Sequence, residues 1–218
     1  MHSFTEENYL KAIYHLSEGN TMAVSTNQIA EMTSTKAASV TDMLKKLAEK
    51  KLINYIKYQG VTLTNTGVNA AVNIIRKHRL WEVFLVEKLG FKWDEVHDIA
   101  EELEHINSET LINRLDDFLG NPAADPHGDP IPDRTGIIKH KKLVKISDMH
   151  PGESGTVSGV SEHSSVFLKL LEKMGLTLGT KIIVSELIEF DGSIMLTIDQ
   201  KTERTISREV AKNILVIL

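Results

Sequence analysis

Between Arg76 and His105 the chain places ionisable side chains at helical spacing in a way that few folds can absorb. His78 and Glu82 are four residues apart, and His97, Glu101, Glu104 and His105 stand at relative positions 0, 4, 7 and 8. On an α-helix turning about 100° per residue, the second group falls at roughly 0°, 40°, −20° and 80°, one face about 100° wide. An amphipathic helix gives such a stripe to Leu and Ile. Two imidazoles and two carboxylates are costly to bury there unless their charge is compensated. A divalent metal is a compensator that fits His and Glu at i, i+3 and i+4. The plainer alternative is a solvated acidic face with incidental histidines. Six such residues in thirty favour metal.

The surroundings sharpen that reading. Cysteine is absent, which removes disulfides, thiolate zinc sites and cysteine nucleophiles, so any metal must be held by O and N donors. The net charge of −5 is unevenly spread. Ser34–Gly60 carries six lysines (36, 45, 46, 50, 51, 57) against Asp42 and Glu49, a local net of +4, whereas Asp94–Asp117 holds nine acids against Arg114 alone, a net of −8. A basic module beside an acidic one points to a polyanion-binding unit next to a cation-binding unit. No apolar run approaches the ~18 residues that span a bilayer, and the opening MHSFTEENYL lacks the basic flank and apolar stretch of a signal peptide. The expected location is the cytoplasm, with no membrane partner.

Periodicity and caps order the N-terminal part. Ser3 and Glu6 have capping-box spacing ahead of a helix over about Thr5–Ser17. A short helix, Thr26–Met32, and the polar turn Thr33-Ser34-Thr35 lead into a third helix, Lys36–Lys50, with Val40, Met43, Leu44 and Leu47 on its apolar side. Two short helices about a tight turn read as helix-turn-helix. The second helix would offer Thr35, Lys36, Ala38, Ser39, Thr41, Asp42 and Lys45 to phosphates and base edges in a major groove of double-stranded DNA. Leu52–Lys57, the turn Tyr58-Gln59-Gly60 and Val61–Thr64 then read as the wing of a winged helix.

Thr64 or Thr66 is expected to cap a long helix to Leu89, which Gly90 ends. Trp93–Asn107 is expected to form the helix bearing the second His/Glu group, and Ser108 to cap another that ends at Leu119-Gly120. The surplus of apolar positions here, among them Leu80, Val83, Phe84, Leu111, Leu115 and Phe118, is economically used as a homodimer interface. Asn121–Thr135 contains four of the five prolines and reads as an ordered, extended linker in which His127 is structural rather than a ligand. Short β segments follow at Leu143–Ile146, Gly155–Val160, Lys181–Ile188 and Ile194–Ile198, with a helix at Ser164–Met174, the pattern of a small open barrel. The expected fold is mainly α with β. A winged helix-turn-helix covers 1–65, a helical metal-binding and dimerisation domain 66–120, a Pro-rich linker 121–142 and an SH3-like β-barrel 143–218.

No Walker motif, dinucleotide-binding glycine fingerprint or nucleophile elbow is present, and His140, His150 and His163 lack a triad context. A carboxylate/histidine di-metal enzyme or a metal-storage protein, with the helix-turn-helix merely structural, is the competing reading. Di-metal carboxylate proteins place such ligands on four long helices, so an enzyme is not expected.

The stretches TEENYLKAIYHL, SVTDMLKKLAEKKLI, LTNTGVNAA, RKHRLWEVFLVEKLG, VHDIAEELEH and PHGDPIP resemble the metal-dependent transcriptional repressors of the DtxR/MntR family over essentially the whole chain. The tail resembles that family's SH3-like, FeoA-type domain. The resemblance implies two metal sites per subunit. His78, Glu82 and His97 match one, which the family completes from the SH3-like domain, with Glu162 or His163 near the corresponding place. Glu101, Glu104 and His105 match the other, which the family completes from the first helix. Asn8 stands where the family has Met or Asp and offers an amide oxygen. Lys11 stands where the manganese branch has Glu, and Glu101 where the iron branch has Cys. An all-O/N donor set is harder than a thiolate site and suits Mn²⁺ first, with Fe²⁺ tolerated. The implied function is a Mn²⁺- or Fe²⁺-activated dimeric repressor that binds operator DNA controlling metal-homeostasis genes.

Overall fold

A computed structural model describes residues 2–56 and 59–218. The chain divides into two compact units. One comprises residues up to His78 with Glu101–Asn113 and Pro132–Ile138, and the other Arg79–Ala100, Arg114–Ile131 and Lys139–Leu218.

The first unit opens with α1 (Phe4–Leu16), α2 (Thr26–Met32) and α3 (Ala37–Glu49). The Ser3 hydroxyl accepts the Glu6 N–H and the Glu6 carboxylate accepts the Ser3 N–H, the reciprocal cap expected from their spacing. Ser25 and Gln28 repeat the device at the start of α2. Tyr9, Leu10 and Ile13 of α1 close over Ile29 of α2 and Val40, Leu44 and Leu47 of α3 in one apolar core. Glu6 is fully buried at its edge, where Lys50 (2.8 Å) and Lys46 (3.1 Å) close on its carboxylate. Burial alone would push Glu6 up in pKa, but Lys50, the Ser3 N–H and Lys46 outweigh it and bring it down to about 2.

The wing is β1 (Ile53–Ile56) paired antiparallel with β2 (Gly60–Leu63), Ile53 opposite Leu63 and Ile56 opposite Gly60. Of the expected turn, Lys57 and Tyr58 lie outside the described residues. Thr64 rather than Thr66 caps α4 (Asn65–Leu89), its hydroxyl accepting the Gly67 N–H.

The sequence reading departs from the structure after α4. The expected helix Trp93–Asn107 shortens to α5 (His97–Leu103). Residues 92–95 form a turn closed by the Glu95 side chain on the Lys92 N–H, and Trp93 packs into the apolar core of the second unit instead of extending the helix. Glu104 and His105 therefore fall in the turn beyond α5. After α6 (Glu109–Phe118), the proline run folds back on itself where an extended path was expected. Ala124 bridges Pro130, and the Asp125 carboxylate accepts the N–H groups of His127 and Asp129. Gly128 turns this segment at φ +92, and an added Cβ would stand 2.2 Å from the Ser158 carbonyl oxygen. Gly128→Ala is therefore expected to destabilise the protein by about 2–4 kcal/mol, through left-handed backbone strain plus overpacking against backbone that cannot yield. Urea denaturation would read it as a lower midpoint at unchanged slope.

The C-terminal part is a six-stranded antiparallel sheet in the order β3-β8-β4-β5-β6-β7. Its strands are β3 (Val144–Lys145), β4 (Ser154–Val160), β5 (Lys181–Leu187), β6 (Ile194–Ile198), β7 (Thr202–Ile206) and β8 (Ile214–Ile217). Bulges between Val157 and Gly159 and between Val184 and Glu186 bend it, but β3 and β7 remain edges, so the barrel is open. The helices α7 (Ser165–Met174) and α8 (Arg208–Lys212) belong to this part, and Leu168 and Leu171 of α7 sit in its core with Val157, Val184, Leu196 and Val216.

Candidate metal centres and DNA-facing helix

Two clusters of buried ionisable groups stand out, one in each unit. In the first unit α1 meets the turn after α5. The Glu7 carboxylate lies 2.6 Å from His105 Nδ1, and the Phe4 ring stacks on that imidazole at 4.4 Å. His78 Nδ1 lies 2.6 Å from Glu104 Oε2. A carboxylate oxygen only accepts, so in each neutral imidazole Nδ1 carries the hydrogen and Nε2 is left as the metal-donor atom. Lys11 of α1 closes the group, its ammonium donating to Glu101 at 3.1 Å and to Glu104 at 2.8 Å. Burial pushes Glu104 up in pKa, but the His78 hydrogen bond and Lys11 outweigh it and hold the group ionised. Asn8, the expected α1 donor, is exposed, while its neighbour Glu7 is buried and orients His105.

The second unit gathers Glu82 of α4, Asp125 and His127. One ligand atom from each lies within 4.8 Å of the others, and all three residues are buried. His97, 45% exposed at its side chain, approaches Glu82 at 3.6 Å. His127 Nε2 donates to the Trp93 carbonyl at 2.8 Å, which fixes the tautomer and turns Nδ1 toward Glu82 at 3.5 Å. Arg79 braces the same turn, with its guanidinium 3.5 Å from Asp125 and 3.2 Å from Asp129 and a hydrogen bond to the Pro130 carbonyl. Burial and the nearby Glu82 and Asp129 carboxylates push Asp125 up to about 7, against Arg79 and His127. His127 is lowered by burial, but Glu82 and Asp125 outweigh that and raise it. The buried Glu82 and Asp125 and the half-buried Asp129 share one corner with the Arg79 guanidinium and the buried His127 imidazole. A divalent cation with O and N ligands answers this donor set directly.

Of the barrel residues, His163 stacks on the His127 ring at 4.9 Å and its Nε2 lies 3.9 Å from Asp129, while Glu162 is exposed and accepts the Ser164 N–H. The sequence reading passed over Asp125 and Glu7 and assigned His127 a structural place. The available signal was the Asp-x-His spacing between prolines, which composition alone reads as linker.

On α3, Ala38 and Ser39 are exposed, as are Lys36 just before the helix and the Asp42–Lys45 ion pair (3.1 Å). The Thr41 hydroxyl donates to the Ala37 carbonyl, and that of half-buried Thr35 to Thr33 in the turn. Lys46 and Lys50, counted in the basic module, are engaged by Glu6.

Comparison with known proteins assigns each part. Residues 1–61 match the N-terminal DNA-binding domain of iron-dependent repressors, 64–133 their metal-binding and dimerisation domain, and 144–218 the FeoA domain. The iron-dependent repressor IdeR of Mycobacterium leprae is 30% identical over 179 residues, covering 78% of this chain and 77% of that one. The diphtheria toxin repressor of Corynebacterium efficiens is 26% identical over 203 residues, covering 88% and 86%. Among solved structures, a manganese-dependent transcriptional repressor in complex with manganese superposes with a TM-score of 0.87 at 36% identity, covering 97% of this chain and 99% of that one. ScaR with bound Zn²⁺ gives 0.79 at 32% identity, covering 97% and 98%. With its DNA-binding, metal-binding and FeoA modules all accounted for, the chain belongs to the iron-dependent repressor family of metal-dependent transcriptional repressors.

Proposed function

We propose that this repressor is activated by Mn²⁺, with Fe²⁺ as the alternative effector, and that as a cytoplasmic homodimer it binds operator DNA of metal-homeostasis genes. The observation that carries the reading is the junction of α1 with the acidic turn: Glu7 on His105, and Lys11 on Glu101 and Glu104. Because α1 also packs on the helix-turn-helix core, Glu101, Glu104 and His105, with Asn8 as a further oxygen donor, would hold a metal where its binding would bias the pose of the DNA-reading helix. His78, Glu82 and His97 are the proposed ligands of the second site, and the buried Asp125 and His127 beside Glu82 are proposed to extend it. The donor set contains only carboxylate, imidazole and amide groups, which favours a hard ion. Leu111 and Phe118 of α6, 41% and 65% exposed, supply apolar surface for the dimer. Among the described residues no helix is long and apolar enough to cross a membrane.

Fluorescence anisotropy on DNA from upstream of the chain's own gene and neighbouring metal-transport genes tests this reading. It is run in chelator, in Mn²⁺ and anaerobically in Fe²⁺, at fixed salt. Binding only with metal supports it, and equal binding in chelator overturns it. Within this scheme Lys36→Ala with Lys45→Ala is expected to weaken DNA affinity roughly tenfold and to flatten the salt dependence by about one unit per lost phosphate contact. Calorimetric Mn²⁺ affinity should be unchanged.

A further inference from the structure

Lys11 marks the α1 junction in the proposed function, but that function gives its positive charge, set among metal-ligand candidates, no role. It lies on α1 one turn after Glu7, and its side chain is only 14% exposed. Its ammonium is 3.1 Å from Glu101 Oε1 and 2.7 and 2.8 Å from the two oxygens of Glu104, whose side chain is wholly buried. Three carboxylate oxygens from two residues thus converge on one cationic nitrogen, as they would on a metal ion. The sites differ in reach and charge: a divalent first-row ion draws oxygens to about 2.0–2.2 Å, and an ammonium beside it at this spacing would be strongly repelled. The lysine stem has four rotatable carbons, and part of the side chain already meets solvent, so a way out exists.

We propose that Lys11 is a displaceable internal cation. Its ammonium holds the Glu101–Glu104 pair and ties α1 to it, and it must vacate the pair and turn to solvent for a divalent ion to bind there. The proposal rests on Glu101 and Glu104 being metal ligands. Two consequences follow. In the metal-free chain the carboxylates are neutralised and the α1 junction stays assembled. Metal has to outcompete a tethered cation, which raises the concentration at which the repressor responds.

The test uses the full-length protein and Mn²⁺ alone. Calorimetric titration of wild type, Lys11→Met and Lys11→Arg is followed in the phase that Glu104→Ala removes, and acetylation of Lys11 by acetic anhydride is quantified by mass spectrometry with and without Mn²⁺. Lys11→Met is expected to bind Mn²⁺ at least tenfold tighter and Lys11→Arg to stay near wild type, while Mn²⁺ raises wild-type Lys11 acetylation several-fold. Unchanged or weaker binding by folded Lys11→Met overturns the proposal. Should Lys11→Met fail to fold, wild-type acetylation decides, and labelling that Mn²⁺ leaves unchanged or lowers overturns it. A Mn²⁺ isotherm insensitive to Glu104→Ala overturns instead the assignment of the site, and the proposal with it.

Discussion

Glu104→Ala is expected to lower operator affinity in saturating Mn²⁺ by at least a hundredfold, to the level wild type shows in chelator. Glu104 is the shared partner of His78 and Lys11 and is wholly buried, so its truncation removes both contacts at once. A hundredfold ratio corresponds to about 2.7 kcal/mol of differential stabilisation. That is within what the loss of one anionic ligand removes from a metal-coupled equilibrium, since a ligand can shift two states only by its differential affinity for them. The truncation also leaves the buried His78 imidazole without its carboxylate and Lys11 with only Glu101, a defect worth about 1–3 kcal/mol. Glu104→Gln separates the two effects, because it keeps the shape and an oxygen acceptor while losing the charge. Thermal melting should show Glu104→Ala clearly destabilised and Glu104→Gln less so, whereas anisotropy should show both insensitive to Mn²⁺. Metal-dependent binding that survives in Glu104→Ala would sink the coupling through this turn.

The contrast between residues the sequence revealed and those it hid follows from what each signal measures. The helix-turn-helix was legible because caps and apolar periodicity are local: Ser3 with Glu6, Ser25 with Gln28, and Val40, Leu44 and Leu47 all report on neighbours within two turns. The helical-wheel argument placed His97, Glu101, Glu104 and His105 on one face of one helix, but α5 ends at Leu103. No Gly or Pro marks that end. Glu101 and Glu104 still meet, through Lys11, whereas His97 pairs with Glu82. Glu7 read as an ordinary first-turn acid, and its partner His105, on which Phe4 stacks, is brought to it by the tertiary fold. β7 escaped because Thr202–Arg204 are polar and exposed on an edge strand, and β8 because four apolar residues at the chain's end carry no period. Both complete the sheet through partners distant in sequence.

Asp125→Asn and His127→Ala are each expected to weaken Mn²⁺ binding at the second-unit centre by ten- to a hundredfold, the usual cost of losing a metal ligand or its close support. Operator affinity in saturating Mn²⁺ should fall less than for Glu104→Ala, because Glu104 is the carboxylate bonded to Lys11 of α1. The pH dependence identifies the centre further. A metal takes the carboxylate form of Asp125 and the imidazole of His127 with Nδ1 free. Asp125 is held up to about 7 and His127 is also raised, so on the acid side both carry protons that binding must expel. Wild-type affinity at this centre should therefore climb as pH rises through neutrality, by up to a hundredfold per unit where two protons leave and levelling once both groups are deprotonated. Asp125→Asn, with one titrating group removed, should halve the logarithmic slope as well as weaken binding. Calorimetry in two buffers of different ionisation enthalpy counts the released protons directly. A wild-type slope near zero from pH 6 to 8, or a full slope retained by Asp125→Asn, would show that the metal is held elsewhere and that the buried Glu82–Asp125–His127 corner serves only to lock the proline turn against Arg79.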